Sequence, residues 1–148
     1  MEIIQSHDLC FMCETWTNEH SDINFTDYEY FAFHRKRKPR AKRDSVGIIL
    51  YIKSRYVNGI KLLSNVGDNI IWILLDKDIF GVDNPIIIAF CYLVPQSSSR
   101  NDILNINVFD ELVDTMAHYN NVYSDNVSFM LFGDFNARTA VHPDYVEK

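Results

Sequence analysis

The chain has too little cysteine for a disulfide framework: Cys10, Cys13 and Cys91 are all there are in 148 residues. The pair Cys10 and Cys13 has the spacing of a redox or zinc motif. It falls inside an apolar, strand-like run with no second cysteine pair, so buried free thiols are the better expectation. No apolar stretch approaches the length of a membrane span; runs such as 70–75 and 86–93 are strand-sized. Residues 1–5 lack the basic flank and long apolar core of a signal peptide, so the sequons at Asn24 and Asn126 carry little weight. A nuclear or cytoplasmic protein, not a secreted one, is expected. Repeats, low-complexity tracts and linkers are also missing, and the length fits one domain with a substantial core.

What is present is unevenly charged. The net charge is −6, yet residues 34–43 hold seven basic residues and no acid: Arg35, Lys36, Arg37, Lys38, Arg40, Lys42 and Arg43. Outside that run, seven basic residues face 20 acidic ones, a balance of −13. An acidic body with one basic loop is not a general nucleic-acid binder. The loop can still engage a phosphate backbone in a salt-dependent way. A nuclear-import signal and a merely solvated loop are equally good accounts of it.

Strands dominate the pattern. Residues 1–7 read as the end of a helix, 9–13 as a buried strand, 15–27 as a polar loop and 28–33 as a strand. Strands follow at 46–53, 57–63, 70–76 and 86–92, with turns at 65–69 and 81–85. From Asn107, a fair N-cap, the period becomes helical, and Phe109, Leu112, Val113, Met116 and Ala117 share a face. Val127 to Phe132 is a final buried strand.

Three of these strands end in a charged or hydrogen-bonding group: Glu14 after 9–13, Tyr92 at the end of 86–92, and Asp134 after 127–132. Asp134 and Asn136 stand two apart, so in extended backbone both reach one ligand. Gly133 lets the chain leave the strand. A carboxylate and a carboxamide converging there suit a phosphate, a metal and a water. An ordinary turn uses the same residue types.

The ordered set Glu14-Thr15-Trp16, Tyr92-Leu93-Val94-Pro95 and Gly133-Asp134-Phe135-Asn136-Ala137-Arg138 resembles the endonuclease/exonuclease/phosphatase superfamily. Within it, the likeness is greatest to endonuclease domains of non-LTR (LINE-type) retrotransposons, a branch supported by residues 47–53 and 97–100. The resemblance implies an α/β fold, a two-sheet, helix-flanked sandwich of the deoxyribonuclease-I type, with residues 1–148 forming an incomplete domain. It implies Mg²⁺-dependent phosphodiester hydrolysis that nicks DNA, in a polyprotein that also carries a reverse transcriptase. No membrane and no small-molecule cofactor are implied. Glu14 would be the Mg²⁺ ligand, Asp134 would position and deprotonate the attacking water, and Asn136 would meet the scissile phosphate. Tyr92 would offer its hydroxyl to the phosphate or leaving group.

The family's first strand, with its asparagine, and its late Ser-Asp-His segment have no counterpart here. His142 and Asp144 are reversed in order and too close to Asn136 to replace that segment. Weak or absent cleavage is therefore expected. The alternatives are an inactive remnant, or an adapter that binds nucleic acid through 35–43, and then another phosphoesterase of the same superfamily.

Overall fold

The computed structural model describes residues 2–34, 47–93, 107–124 and 126–136. The basic run 35–43, the serine run 97–100, Arg138, His142 and Asp144 lie outside these residues.

A short helix α1 (Glu2–Gln5) leads into strand β1 (Leu9–Cys13), followed by β2 (Tyr28–Phe33) and β3 (Ile48–Lys53). These three strands form an antiparallel sheet in the order β1-β3-β2. The second sheet contains β4 (Ile60–Val66), β5 (Ile70–Leu75), β6 (Ile86–Tyr92) and β7 (Ser128–Asp134), in that order. Its first three strands are antiparallel, and β7 runs parallel to β6. A parallel neighbour requires a crossover, which here contains helix α3 (Val108–Val122). A one-turn helix α2 (Lys77–Phe80) links β5 and β6.

Strand alternation divides the apolar residues into three layers. Ile48, Leu50 and Ile52 of the first sheet face Ile71, Ile73, Ile88 and Phe90 of the second, and this inter-sheet layer is the main core. On the far side of the second sheet, Trp72, Ile87 and Ala89 pack against Val108, Leu112 and Tyr119 of α3. Outside the first sheet, Ile49, Tyr51 and Tyr28 are covered by Ile4 and Ile23. The expected two-sheet α/β sandwich with flanking helices is therefore the observed architecture. Among the described residues, no helix is long and apolar enough to cross a membrane.

Several local expectations need correction. The run 57–63 is not one strand: a 3-10 helix (Ser54–Gly59) precedes β4, which extends to Val66. The strand expected over 70–76 stops at Leu75, and Asp76 instead caps α2: its carboxylate accepts from the backbone N–H groups of Asp78 (2.9 Å) and Ile79 (3.2 Å). On α3 the buried face is rotated from the one expected. Phe109 (57% exposed) and Val113 (44%) face solvent, while Tyr119 turns inward to meet the Trp72 ring and to donate its hydroxyl to Ser64 Oγ. Tyrosine carries a large apolar body as well as a hydroxyl, and that body decides the face. Strand β1 is half-buried along its length rather than buried.

The largest departure is β7. Met130, Leu131 and Phe132 are 42%, 41% and 50% exposed, although the apolar run promised a buried strand. No β7 residue joins the inter-sheet core, and the outer edge of β7 has no strand partner among the described residues. An apolar edge strand is a template for further strand pairing. Replacing Leu131 with lysine is expected to raise the concentration at which the protein self-associates, measured by static light scattering; an unchanged threshold would show that β7 is not the sticking edge.

Candidate active site

The Glu14 and Tyr92 side chains meet across the sandwich. Glu14 follows the last residue of β1 in one sheet, and Tyr92 ends β6 in the other. The Tyr92 hydroxyl donates to Glu14 Oε1. Tyr92 is buried and Glu14 is exposed, so the bond has one end anchored in the core and one at the solvent. Tyrosine has a single O–H, so while that proton is given to Glu14 it is not given to a phosphate oxygen. In this arrangement Tyr92 orients Glu14.

The parallel register of β6 and β7 sets Tyr92 beside Asp134. Immediately beyond, the Leu93 N–H donates to the Asp134 carbonyl at 2.8 Å. The Asn136 carboxamide then donates to the Leu93 carbonyl at 2.7 Å. The Asn136 backbone N–H donates to Asp134 Oδ1 at 2.9 Å, which fixes the carboxylate. Asn136 has φ +44°, so the segment turns and does not continue as the extended backbone assumed from the two-residue spacing. The carboxamide keeps one N–H and its oxygen for a ligand.

Gly133 has a steric reason to be glycine. Its φ is +132°, and a Cβ there would overlap the Cys91 carbonyl on β6. A side chain at 133 would force β7 away from β6 just where Asp134 must sit beside Tyr92.

Cys13 reports on the same corner. Its thiol pKa is raised, first by burial and then by the negative charges of Asp134 and Glu14. Both carboxylates therefore act on one point at the end of β1. Cys10 is raised by burial alone. The two cysteines are three apart on a strand and join different layers, Cys13 the inter-sheet core and Cys10 the outer one, so they form no chelating pair. Cys91 is buried and pushed up to about 12. All three thiols are free.

Sequence reasoning missed two supports. Asn69, buried in the β4–β5 turn, donates from Nδ2 to the Tyr92 carbonyl (2.8 Å), and its own carbonyl accepts the Tyr92 N–H (2.7 Å). A turn asparagine looks like any other in the sequence; only the cross-strand pairing reveals its use. The second is Thr15, whose N–H donates to the Gly47 carbonyl at 3.2 Å and ties the Glu14 loop to the start of β3. A Cβ at Gly47 would stand 2.8 Å from Thr15 Oγ1, so this approach needs glycine too.

For a metal ion, the donor set is oxygen-rich and sparse. Glu14 keeps its second oxygen beside the one facing Tyr92, and Asp134 is solvent-exposed nearby. Among the described residues, no group of three His, Cys, Asp or Glu side chains forms a ligand set. Such a corner fits a hard cation held by one or two carboxylates, water and substrate oxygens, as Mg²⁺ usually is. It does not fit a closed zinc or calcium cage.

Neither a family model nor a curated protein matches the chain. Among solved structures, the chain is similar in fold to the human Nocturnin catalytic domain with bound sulfate anion. The TM-score is 0.52 at 14% sequence identity, covering 92% of this chain and 54% of that one. The chain thus spans about half the length of that domain. The likeness shows the fold, which is the deoxyribonuclease-I-like sandwich inferred from the sequence.

The Cys13 thiol gives a direct test of the corner. Neutralising a neighbouring charge lowers a raised thiol pKa, so Asp134→Asn is expected to speed iodoacetamide labelling of Cys13 roughly threefold at mildly alkaline pH. Peptide mass spectrometry should find Cys10 unchanged. Equal acceleration at both thiols, or none at Cys13, would place Asp134 elsewhere.

Proposed function

We propose that Glu14, Tyr92, Asp134 and Asn136 form a metal-dependent phosphodiester-hydrolysing site, and that its substrate is DNA. The observation that carries the proposal is the meeting of the Tyr92 hydroxyl with Glu14 beside Asp134 in register. Three acid or hydroxyl groups from separate strands converge at one end of a sandwich whose fold resembles a catalytic domain solved with a sulfate, an anion similar in shape to phosphate.

Each residue has a definite task in this scheme. Glu14 would hold Mg²⁺, which would supply positive charge against the phosphate oxygens. Asp134, its carboxylate steadied by the Asn136 N–H, positions the attacking water and takes its proton. Asn136 gives its remaining amide N–H to the phosphate as negative charge builds there. Tyr92 keeps Glu14 aimed into the site. Water attacks in line, the bond from phosphorus to the 3′ oxygen breaks, that oxygen takes a proton from solvent to become a 3′ hydroxyl, and the strand is nicked.

Catalysis should be slow. Among the described residues no histidine hydrogen-bonds Asp134 or Asn136, so the Asn136 N–H alone orients the base and the phosphate meets few donors, which loses much of the rate enhancement. The finer proposal, carried by the sequence resemblance, is the endonuclease of a LINE-type retrotransposon, in which the nick exposes a 3′ hydroxyl that primes reverse transcription.

Plasmid nicking tests the assignment. The protein in Mg²⁺ should convert supercoiled DNA slowly to open circles, and EDTA, Glu14→Gln or Asp134→Ala should each reduce conversion by roughly two orders of magnitude or more. Conversion indifferent to all three would refute the site. DNA binding without any cleavage, steeply salt-dependent and unaffected by Asp134→Ala, would favour the adapter that uses residues 35–43.

A further inference from the structure

Of the two tryptophans, Trp72 is fully buried, but Trp16 is 56% exposed, two residues after Glu14. Leaving an indole in water forgoes much of the largest burial gain any side chain offers. The backbone also holds it at a cost: Trp16 has φ +55° and Glu14 has φ +52°, values uncommon for residues with a Cβ and rarer for bulky ones.

The loop does not reach this conformation for want of anchors. On one side of Trp16, the Thr15 N–H is tied to the Gly47 carbonyl. Across it, Thr15 Oγ1 and Thr17 Oγ1 are hydrogen-bonded at 2.9 Å, and Thr17 Oγ1 meets His34 Nδ1 at 3.1 Å. A few residues on, Asn18 and Ser21 close a turn through their backbone and side chain. The threonines are pinned inward and the indole between them is presented outward.

We infer that Trp16 is a stacking platform for a nucleobase next to the phosphate handled by Glu14, Asp134 and Asn136. The inference rests on the proposed phosphodiesterase site and adds that its substrate is a nucleic acid recognised by a base. Chemistry favours this occupant. Glu14 and Asp134 place negative charge beside the phosphate, which a divalent cation would offset, and a contact to the base adds an attraction that does not depend on charge. Stacking on an indole supplies one, tolerates any base, and prefers an unpaired or locally opened strand. Phospholipid headgroups and inositol phosphates have no flat ring to use it.

The test uses the whole chain with Ca²⁺ in place of Mg²⁺, so that the strand stays intact. A short oligothymidylate should quench the tryptophan fluorescence, and an abasic deoxyribose-phosphate oligomer of equal length should not. Trp16→Ala should bind the oligothymidylate roughly 5- to 100-fold more weakly, the range expected for one stacked base. Trp16→Phe should recover most of that loss, and the abasic oligomer should bind every variant alike. Unchanged affinity in Trp16→Ala, or an equal loss with the abasic oligomer, overturns the stacking role. The outcomes separate from those of the site itself. Nicking that needs Asp134 together with no effect of Trp16→Ala sinks the platform and spares the site. Base-dependent quenching together with nicking indifferent to Asp134 does the reverse.

Discussion

The hydrogen bond from Tyr92 to Glu14 is the link between two otherwise separate sheets at the end where chemistry is possible. The inter-sheet core holds the sheets face to face but does not specify what their rims present. At this rim a buried tyrosine ties down an exposed carboxylate, so the position of Glu14 is inherited from the core of the other sheet. A hydrogen bond to a charged group contributes about 1.5–3 kcal/mol at best, and less with one end exposed to solvent. That is small against the core, yet it decides whether the carboxylates share one site. Around it, Asn69 fixes the Tyr92 backbone, Gly133 allows β7 to close on β6, and the Leu93 and Asn136 hydrogen bonds carry the arrangement to Asp134.

The same corner explains an asymmetry in the sandwich. Among the described residues the second sheet has one strand more than the first, and its edge strand β7 carries Asp134. Phe132 stacks on Phe90 at 6.0 Å between ring centres, yet half of it is exposed and it does not join the inter-sheet core. The aspartate is thus borne on the least covered strand. Its position depends more on β6 and the Gly133 turn than on burial of β7 itself, and local opening there costs less than opening the core.

Much of this was legible in the sequence. β1, β2 and β6 run between the residues that the apolar runs indicated, and Asn107 caps α3 through the Phe109 N–H as expected. Glu14, Tyr92 and Asp134 stand at strand ends in the sequence pattern, and the fold brings them together. What was not legible depended on tertiary context. Burial of β7 cannot be read from its composition, because an apolar run says what a strand prefers and not what is available to cover it. The inward face of α3 was set by Tyr119 and its neighbours Trp72 and Ser64, which no helical period identifies. Asn69 and the left-handed backbone at Glu14, Trp16 and Asn136 are visible only in three dimensions.

The central claim is that strand ends from the two sheets are coupled into one site through Tyr92 and Glu14. A double-mutant cycle on urea stability with Tyr92→Phe, Glu14→Gln and the double variant measures that coupling most directly. The account predicts a coupling of about 1–2 kcal/mol, as for a hydrogen bond to a charged group with one end in solvent. Additivity within about 0.5 kcal/mol would mean that the two side chains do not depend on each other, and would contradict the assembled site.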